Sequence, residues 1–195
     1  QASAAQPRLV QAELYRANPI TNFDTTAMRI MTDDGVEVLF YTTHALSKFY
    51  GPEIVCEFDD ATVNFYTGKR LVAHFKNGDT KDYGTPDGFT HLKYWDAIAT
   101  VRGEKTMACT IDAATPQIIC VNAAEDSVNN EITEFPAGQV YKMGVPGKQI
   151  RVMTGLAECF IKAFQANALP AELGGYSWLR PGKVVDTTNY EVFRG

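Results

Sequence analysis

The sequence has no apolar run that approaches the roughly 20 residues a membrane-spanning helix needs, so no membrane partner is expected. It has no excess of positive charge: 18 Lys and Arg stand against 23 Asp and Glu, a net charge of −5. A general nucleic-acid binder needs a basic face to displace counterions from phosphates, and this balance argues against that class. There is no C-x-x-C pair. The four cysteines, Cys56, Cys109, Cys120 and Cys159, stand apart and without a histidine cluster, which argues against structural zinc. All lie in apolar contexts such as Ile119-Cys120-Val121 and read as reduced core thiols. The N-terminal QASAAQPR lacks the basic flank and apolar core of an intact signal peptide. A cytoplasmic location is the reading that follows, with a cleaved export signal left open.

The signatures of several enzyme classes are missing too. No G-x-G-x-x-G follows a strand, so no dinucleotide fingerprint is present. There is no phosphate-binding G-x-x-x-x-G-K-[ST], no H-E-x-x-H and no G-x-S-x-G. The three histidines, His44, His74 and His91, are not paired in sequence with a second ligand. Neither a metal nor a cofactor is expected on this chain alone.

What is present is an ordinary globular composition: 195 residues, 45% apolar, 11% aromatic and 21% charged. That length suits one domain and buries roughly 70% of the unfolded surface. The first part reads as strands. Arg8 to Ala17 ends at Asn18-Pro19, where proline stops the ladder. Asn22 to Thr32 and Val36 to Thr43 flank Asp33-Asp34-Gly35, the signature of an antiparallel hairpin. By parity Val36, Val38, Phe40, Thr42 and His44 should meet the core, leaving Glu37, Leu39, Tyr41 and Thr43 on the other face. Glu53–Phe58, Thr62–Tyr66, Arg70–Phe75 and Thr80–Tyr83, separated by short turns including Thr67-Gly68-Lys69, read as a meander.

The period then changes. Phe89, Leu92, Trp95, Ile98 and Ala99 follow helical spacing and predict a helix buried on one side, closed by Gly103. A second helix is expected from about Ile111 to Ser127, capped by Thr110, or by Thr115 with a later start at Pro116. A third is expected from about Lys148 to Ala166, and a short strand at Lys183–Val185. Strands first and helices after give an α+β class: a large, mostly antiparallel open sheet with helices packed on one face.

Four residues are the candidate substrate-binding set. His44 ends a strand beside the hydroxyls of Tyr41, Thr42 and Thr43, with Lys48 close behind. A strand-end imidazole there can hydrogen-bond a polyol or exchange a proton near neutral pH. The plainer alternative is a histidine that bonds a backbone carbonyl. Trp178 lies with Tyr176 and Arg180 in a cluster suited to stacking on a sugar, or to packing on its own domain. Asp24 is read as an acceptor for backbone N–H groups rather than a ligand. Glu104-Lys105-Thr106 looks like part of a Glu-Lys-Pro motif but follows a helix and a glycine, so it reads as a charged turn.

The run Asn18-Pro-Ile-Thr-Asn-Phe-Asp-Thr-Thr-Ala-Met-Arg-Ile, then Gly35 and Phe40-Tyr-Thr-Thr-His44, resembles the C-terminal domain of the Gfo/Idh/MocA oxidoreductases. Tyr94-Trp-Asp-Ala-Ile-Ala-Thr-Val-Arg-Gly, Cys109-Thr-Ile-Asp-Ala-Ala and Glu125-Asp-Ser127 are similar to that domain's paired helices. The resemblance covers roughly residues 8 to 128. It implies a parent enzyme whose N-terminal Rossmann domain holds NAD or NADP and whose C-terminal sheet shapes the sugar or polyol site and the oligomer interface. It also implies a homo-oligomer through the open sheet face. The family's Glu-Lys-Pro lysine, its Asp/His pair and its glycine fingerprint have no counterpart here, so no catalytic residue carries over. The expectation is a single domain, residues 1–195, seen without its Rossmann half. The alternative is a stand-alone carbohydrate-binding or scaffold module without catalysis.

Overall fold

The computed structural model describes residues 4–66, 69–85, 91–107 and 109–191. The expected turn at Thr67-Gly68 and Phe89 of the first helical stripe lie outside the described residues, as do both chain ends. The elements in order are β1 (Pro7–Arg16), β2 (Thr25–Thr32), β3 (Glu37–Thr43), β4 (Glu53–Glu57), β5 (Ala61–Tyr66), β6 (Val72–Phe75) and β7 (Thr80–Asp82). They are followed by α1 (Leu92–Val101), α2 (Ile111–Ser127), β8 (Thr133–Glu134), β9 (Val140–Met143), β10 (Ile150–Met153), α3 (Leu156–Gln165), α4 (Pro170–Leu173) and β11 (Val185–Asp186). The class is α+β with mostly antiparallel sheets, as the sequence predicts. Within what reads as one domain stand two compact units, Gln1–Ser47 with Ala108–Gly195, and Lys48–Met107.

In the first unit the strand order is β11-β1-β2-β3, with β8 added parallel to the end of β1. The hairpin of β2 and β3 turns at Gly35, whose φ of 86° explains the glycine. Alternation along β1 sends side chains to two different cores. Val10, Ala12 and Leu14, with Met28 of β2, pack on Ala123 and Ala124 of α2. Tyr15, Ala17 and Ala27 pack with Leu156, Cys159 and Phe160 of α3, and with Phe135, Trp178 and Leu179. Helices therefore lie on both faces of this sheet.

That arrangement reverses the expected parity of β3. Leu39 and Tyr41 pack against the α3 core, whereas Val36, Val38 and Phe40 are 53%, 41% and 48% exposed. The cause is coverage. α3 lies over the Tyr41 side of the strand, while the cluster built on α2 ends at Met28 and Ile30 of β2.

α2 begins where expected, with the Thr110 hydroxyl accepting from the Ala113 N–H at 3.3 Å. The expected third helix is shorter than its stripe. Residues 150–153 pair with β9 instead, and the helix starts only after Gly155, at φ 79°. The β-branched Ile150 and Val152 suit a strand, and the left-handed glycine stops the strand before the helix can extend back.

The second unit is a meander in the order β4-β5-β6-β7. The paired residues Cys56 and Val63, Val63 and Ala73, and Ala61 and Phe75 share one face. α1 forms as its period predicts, but none of its residues is buried: Leu92, Trp95 and Ile98 are all exposed. The thiol expectation also changes. The cysteines are free, but only Cys159 is buried; Cys120 is half-buried, and Cys56 and Cys109 are exposed.

Candidate functional site

The corner where β3 ends is built around Asp24, a carboxylate only 6% exposed. Its Oδ2 accepts the Ala17 N–H at 3.0 Å, the Asn18 N–H at 2.7 Å and the Asn18 amide at 2.8 Å. Its Oδ1 accepts the Thr25 hydroxyl at 2.9 Å. Thr25 spends its one hydrogen there, so the 2.8 Å contact between the Thr25 and Thr43 hydroxyls must be donated by Thr43. Thr43 in turn accepts the Ala45 N–H at 2.9 Å. Asp24 thus orders both the Asn18-Pro19 turn and the exit from β3, the acceptor role the sequence predicts.

His44 stands on this corner. Its backbone N–H donates to the Asp24 carbonyl at 2.9 Å, and the next carbonyl, of Ala45, accepts the Met153 N–H at 3.0 Å. The residue itself is exposed. A fixed backbone with an exposed imidazole lowers the entropy cost of presenting a hydrogen-bonding group to the part lost in ordering the side chain.

The other three candidates are placed differently. Tyr41 donates its hydroxyl to the Ala168 carbonyl at 2.8 Å, and its ring meets Phe160 and Phe164 edge-on. Burial pushes its phenol up to about 12. Its hydrogen is committed to the chain just past α3. Trp178 is 3% exposed, edge-on to Tyr15 at 5.2 Å and to Phe135 at 5.0 Å between ring centroids, so its ring is core rather than a sugar platform. Lys48 is exposed and belongs to the second unit. The structure therefore gathers no common site from Tyr41, His44 and Trp178.

Sequence reasoning missed a buried polar group on the same sheet. Glu13 is fully buried on β1. Its carboxylate accepts the Tyr15 hydroxyl at 2.6 Å and the Ala171 N–H at 2.8 Å. Burial raises its pKa above the ordinary carboxyl value. Burial also pushes the nearby Cys159 thiol up to about 11, which keeps it protonated. The available signal was a glutamate between Ala12 and Leu14, two residues before Tyr15 on the same face of the strand. Further along this face Arg29 pairs with Glu37 at 2.6 Å and makes a two-pronged contact with Glu172 of α4. That contact holds the Glu172 carboxyl below the ordinary range.

In the second unit an open apolar depression of about 540 Å³ is lined by Phe58, Ala61, Val63, Leu71, Ala73 and Phe75, among others. Lys105 pairs with Asp96 at 2.6 Å, the charged turn expected of that loop. Among the described residues no group of three or more His, Cys, Asp or Glu could hold a metal ion, and no helix is long and apolar enough to cross a membrane.

Neither a protein-family model nor a curated protein matches the sequence. Solved structures do. UDP-N-acetylglucosamine 3-dehydrogenase GnnA from Acidithiobacillus ferrooxidans aligns with a TM-score of 0.56 at 10% identity, over 65% of this chain and 41% of its own. An oxidoreductase from Agrobacterium radiobacter, solved with NAD+, L-tartaric acid and magnesium, aligns with a TM-score of 0.50 at 18% identity, over 64% of this chain and 42% of its own. The chain spans about two fifths of the length of each. At such identities the likeness is one of fold: this chain shares the fold of part of the oxidoreductases of the Gfo/Idh/MocA type.

Proposed function

We propose that this chain is the substrate-side, C-terminal domain of an NAD(P)-dependent oxidoreductase acting on a sugar or polyol. The observation that carries it is the shared fold with two oxidoreductases over about 65% and 64% of the chain, joined to the sequence resemblance. Hydride transfer needs one part that holds the nicotinamide and another that presents the carbinol carbon to it. The described residues do not fit a dinucleotide. That cofactor takes a glycine turn between a parallel strand and a helix N-terminus, and the single parallel pairing among the described residues, β1 with β8, spans two residue pairs. On this reading the nicotinamide belongs to another part of the parent protein, and this chain shapes the substrate site.

His44 is the residue we assign to substrate contact, because it is exposed on a corner fixed by Asp24, Thr43 and Met153. The exposed row Val36, Val38 and Phe40 supports self-association through the sheet.

Calorimetry tests the reading. The isolated chain is expected not to bind NAD or NADP, and tight binding would overturn the domain assignment. The reading frame upstream of Gln1 is expected to encode a Rossmann unit ending in Glu-Lys-Pro. Light scattering is expected to show a concentration-dependent oligomer that Phe40→Lys dissociates; a strict monomer removes that part. A second reading, a carbohydrate-binding module without catalysis, draws on the same fixed His44 corner. Sugar binding lost on His44→Ala, with no Rossmann unit upstream, would select it.

A further inference from the structure

Glu13 is buried at the centre of the first unit, and nothing in the proposed function uses it. Both of its oxygens are occupied. The Tyr15 hydroxyl reaches Oε2 at 2.6 Å and the Ala171 N–H reaches Oε1 at 2.8 Å. The Tyr15 oxygen also accepts the Arg180 N–H at 3.1 Å. Ala171 and Arg180 lie near the two ends of residues 169–182, which contain α4, the left-handed pair Gly174-Gly175 and the buried Trp178. One carboxyl therefore anchors both ends of that segment, directly at Ala171 and through Tyr15 at Arg180.

Among the described residues no cation compensates the charge. Arg29 of β2 is taken by Glu37 of β3 and Glu172 of α4. From α3, Cys159 is a protonated thiol, and Glu158 and Lys162 pair with each other at the surface at 2.7 Å. Tyr41 of β3 is neutral, and its hydroxyl faces the Ala168 carbonyl. Tyr176 carries a neutral phenol, which desolvation pushes further above its ordinary value, and Arg180 touches the site through its backbone N–H. Glu172 adds a second negative charge to the surroundings of Glu13. A carboxylate shut in without a counter-ion is costly; its acid form is not.

We propose that Glu13 is a proton-operated clasp on residues 169–182: docking of the segment favours the acid form of Glu13, and the segment is released more readily as the pH rises. The proton passes between solvent and Oε2. The 2.6 Å bond is donated by the Tyr15 phenol when Glu13 is a carboxylate; the contact carries only one hydrogen, so in the acid form either the phenol or the carboxyl donates across it and the other hydrogen must turn away from it. The sign follows from linkage. Glu13 has a raised pKa when the segment is docked and an ordinary one when water reaches it. The docked state therefore binds the proton more tightly, and acid favours it.

Hydrogen exchange read by NMR tests this on the full chain. The amides of Ala171 and Arg180, corrected for intrinsic rates, are expected to open more at pH 7.5 than at pH 5. The increase is up to about tenfold for each pH unit by which Glu13 is displaced. The Met28 amide on β2 serves as the reference for global opening, and the Ala171 and Arg180 amides are expected to open at a lower free energy than it does at pH 7.5. Glu13→Gln supplies a neutral group of the same shape, and its protection is expected to be independent of pH. Protection of Ala171 that strengthens with pH, or the wild-type slope persisting in Glu13→Gln, would overturn the clasp. Should that variant fail to fold, carboxyl carbon shifts in the wild-type chain decide. A Glu13 midpoint above the ordinary value of about 4.3 supports the proposal, and one at or below it refutes it.

Discussion

The chain has two tryptophans, one in each compact unit, and they live in opposite surroundings. Trp178 is 3% exposed among Tyr15, Phe135 and Tyr176. Trp95 is 66% exposed on α1. The same contrast runs through both units. The first covers both faces of its sheet and buries large side chains such as Tyr15, Leu14, Met153 and Leu156. Among its described residues the second buries only Ala61 and Ala73. Apolar burial is the main source of folding free energy. The difference teaches that the first unit carries the stability of the chain, and that equal periodicity in sequence does not bring equal burial.

Truncating the buried tryptophan tests this most severely. Trp178→Ala is expected to cost about 4 kcal/mol in urea unfolding, since it removes the indole that packs edge-on against both Tyr15 and Phe135 and leaves a cavity. A loss under about 1 kcal/mol would erase the contrast between the units. Gly182→Ala comes next. The outer edge of β1 is closed there by side chain and loop rather than by a strand. The Ala12 N–H donates to the Ser127 hydroxyl at 2.9 Å, and the Gly182 N–H donates to the Ala12 carbonyl at 3.0 Å. A Cβ at 182 would lie 2.3 Å from both the Ala12 oxygen and the Ser127 hydroxyl. Overpacking with the loss of such a bond is expected to cost about 3 kcal/mol, and a thermal shift matching wild type would show that the edge can yield.

A smaller effect sits where α4 meets the sheet. The Arg29 contact lowers the Glu172 pKa, so this pair adds stability above the ordinary carboxylate pKa and loses it as the pH falls through the lowered value. Both side chains are partly solvated, so screening limits the contribution to about 0.5 kcal/mol. Glu172→Gln should remove that acid-side loss from the pH dependence of unfolding. An unchanged profile would mean the pair contributes nothing.

The strands were legible because turn chemistry punctuates them: Asn18-Pro19, Asp33-Asp34-Gly35 and Asn77-Gly78 bound segments of alternating pattern. Asp24 was legible for the same local reason. What failed was everything decided at long range. Leu39 and Tyr41 against Val38 and Phe40 is a nearly even choice by composition, and α3, more than a hundred residues away, decides it. The stripe from Ile150 to Phe164 reads as one helix until the pairing of Ile150 with Met143 takes its first turn. Trp178 sits between glycines and an Arg-Pro, a context that looks like a loop, yet its ring fills the core beside Tyr15. Of the candidate site only the His44 corner was visible, because its partners lie within hydrogen-bonding reach of one hairpin end. Glu13 was invisible because its partners, Ala171 and, through Tyr15, Arg180, come from the far end of the chain.

The smallest effect is expected where the helical pattern is clear but burial is absent. Trp95→Ala removes a ring on the stripe of Leu92, Trp95 and Ile98, the stripe that sequence alone would make a core face. At 66% exposure the ring gives up little contact, and the change is expected to stay within about 0.5 kcal/mol in urea unfolding. Iodide should quench Trp95 fluorescence in Trp178→Phe far more strongly than Trp178 fluorescence in Trp95→Phe. A cost above about 2 kcal/mol, or equal quenching of the two indoles, would mean that α1 is covered in solution. The second unit would then carry a core of its own, and the contrast between the two units would vanish.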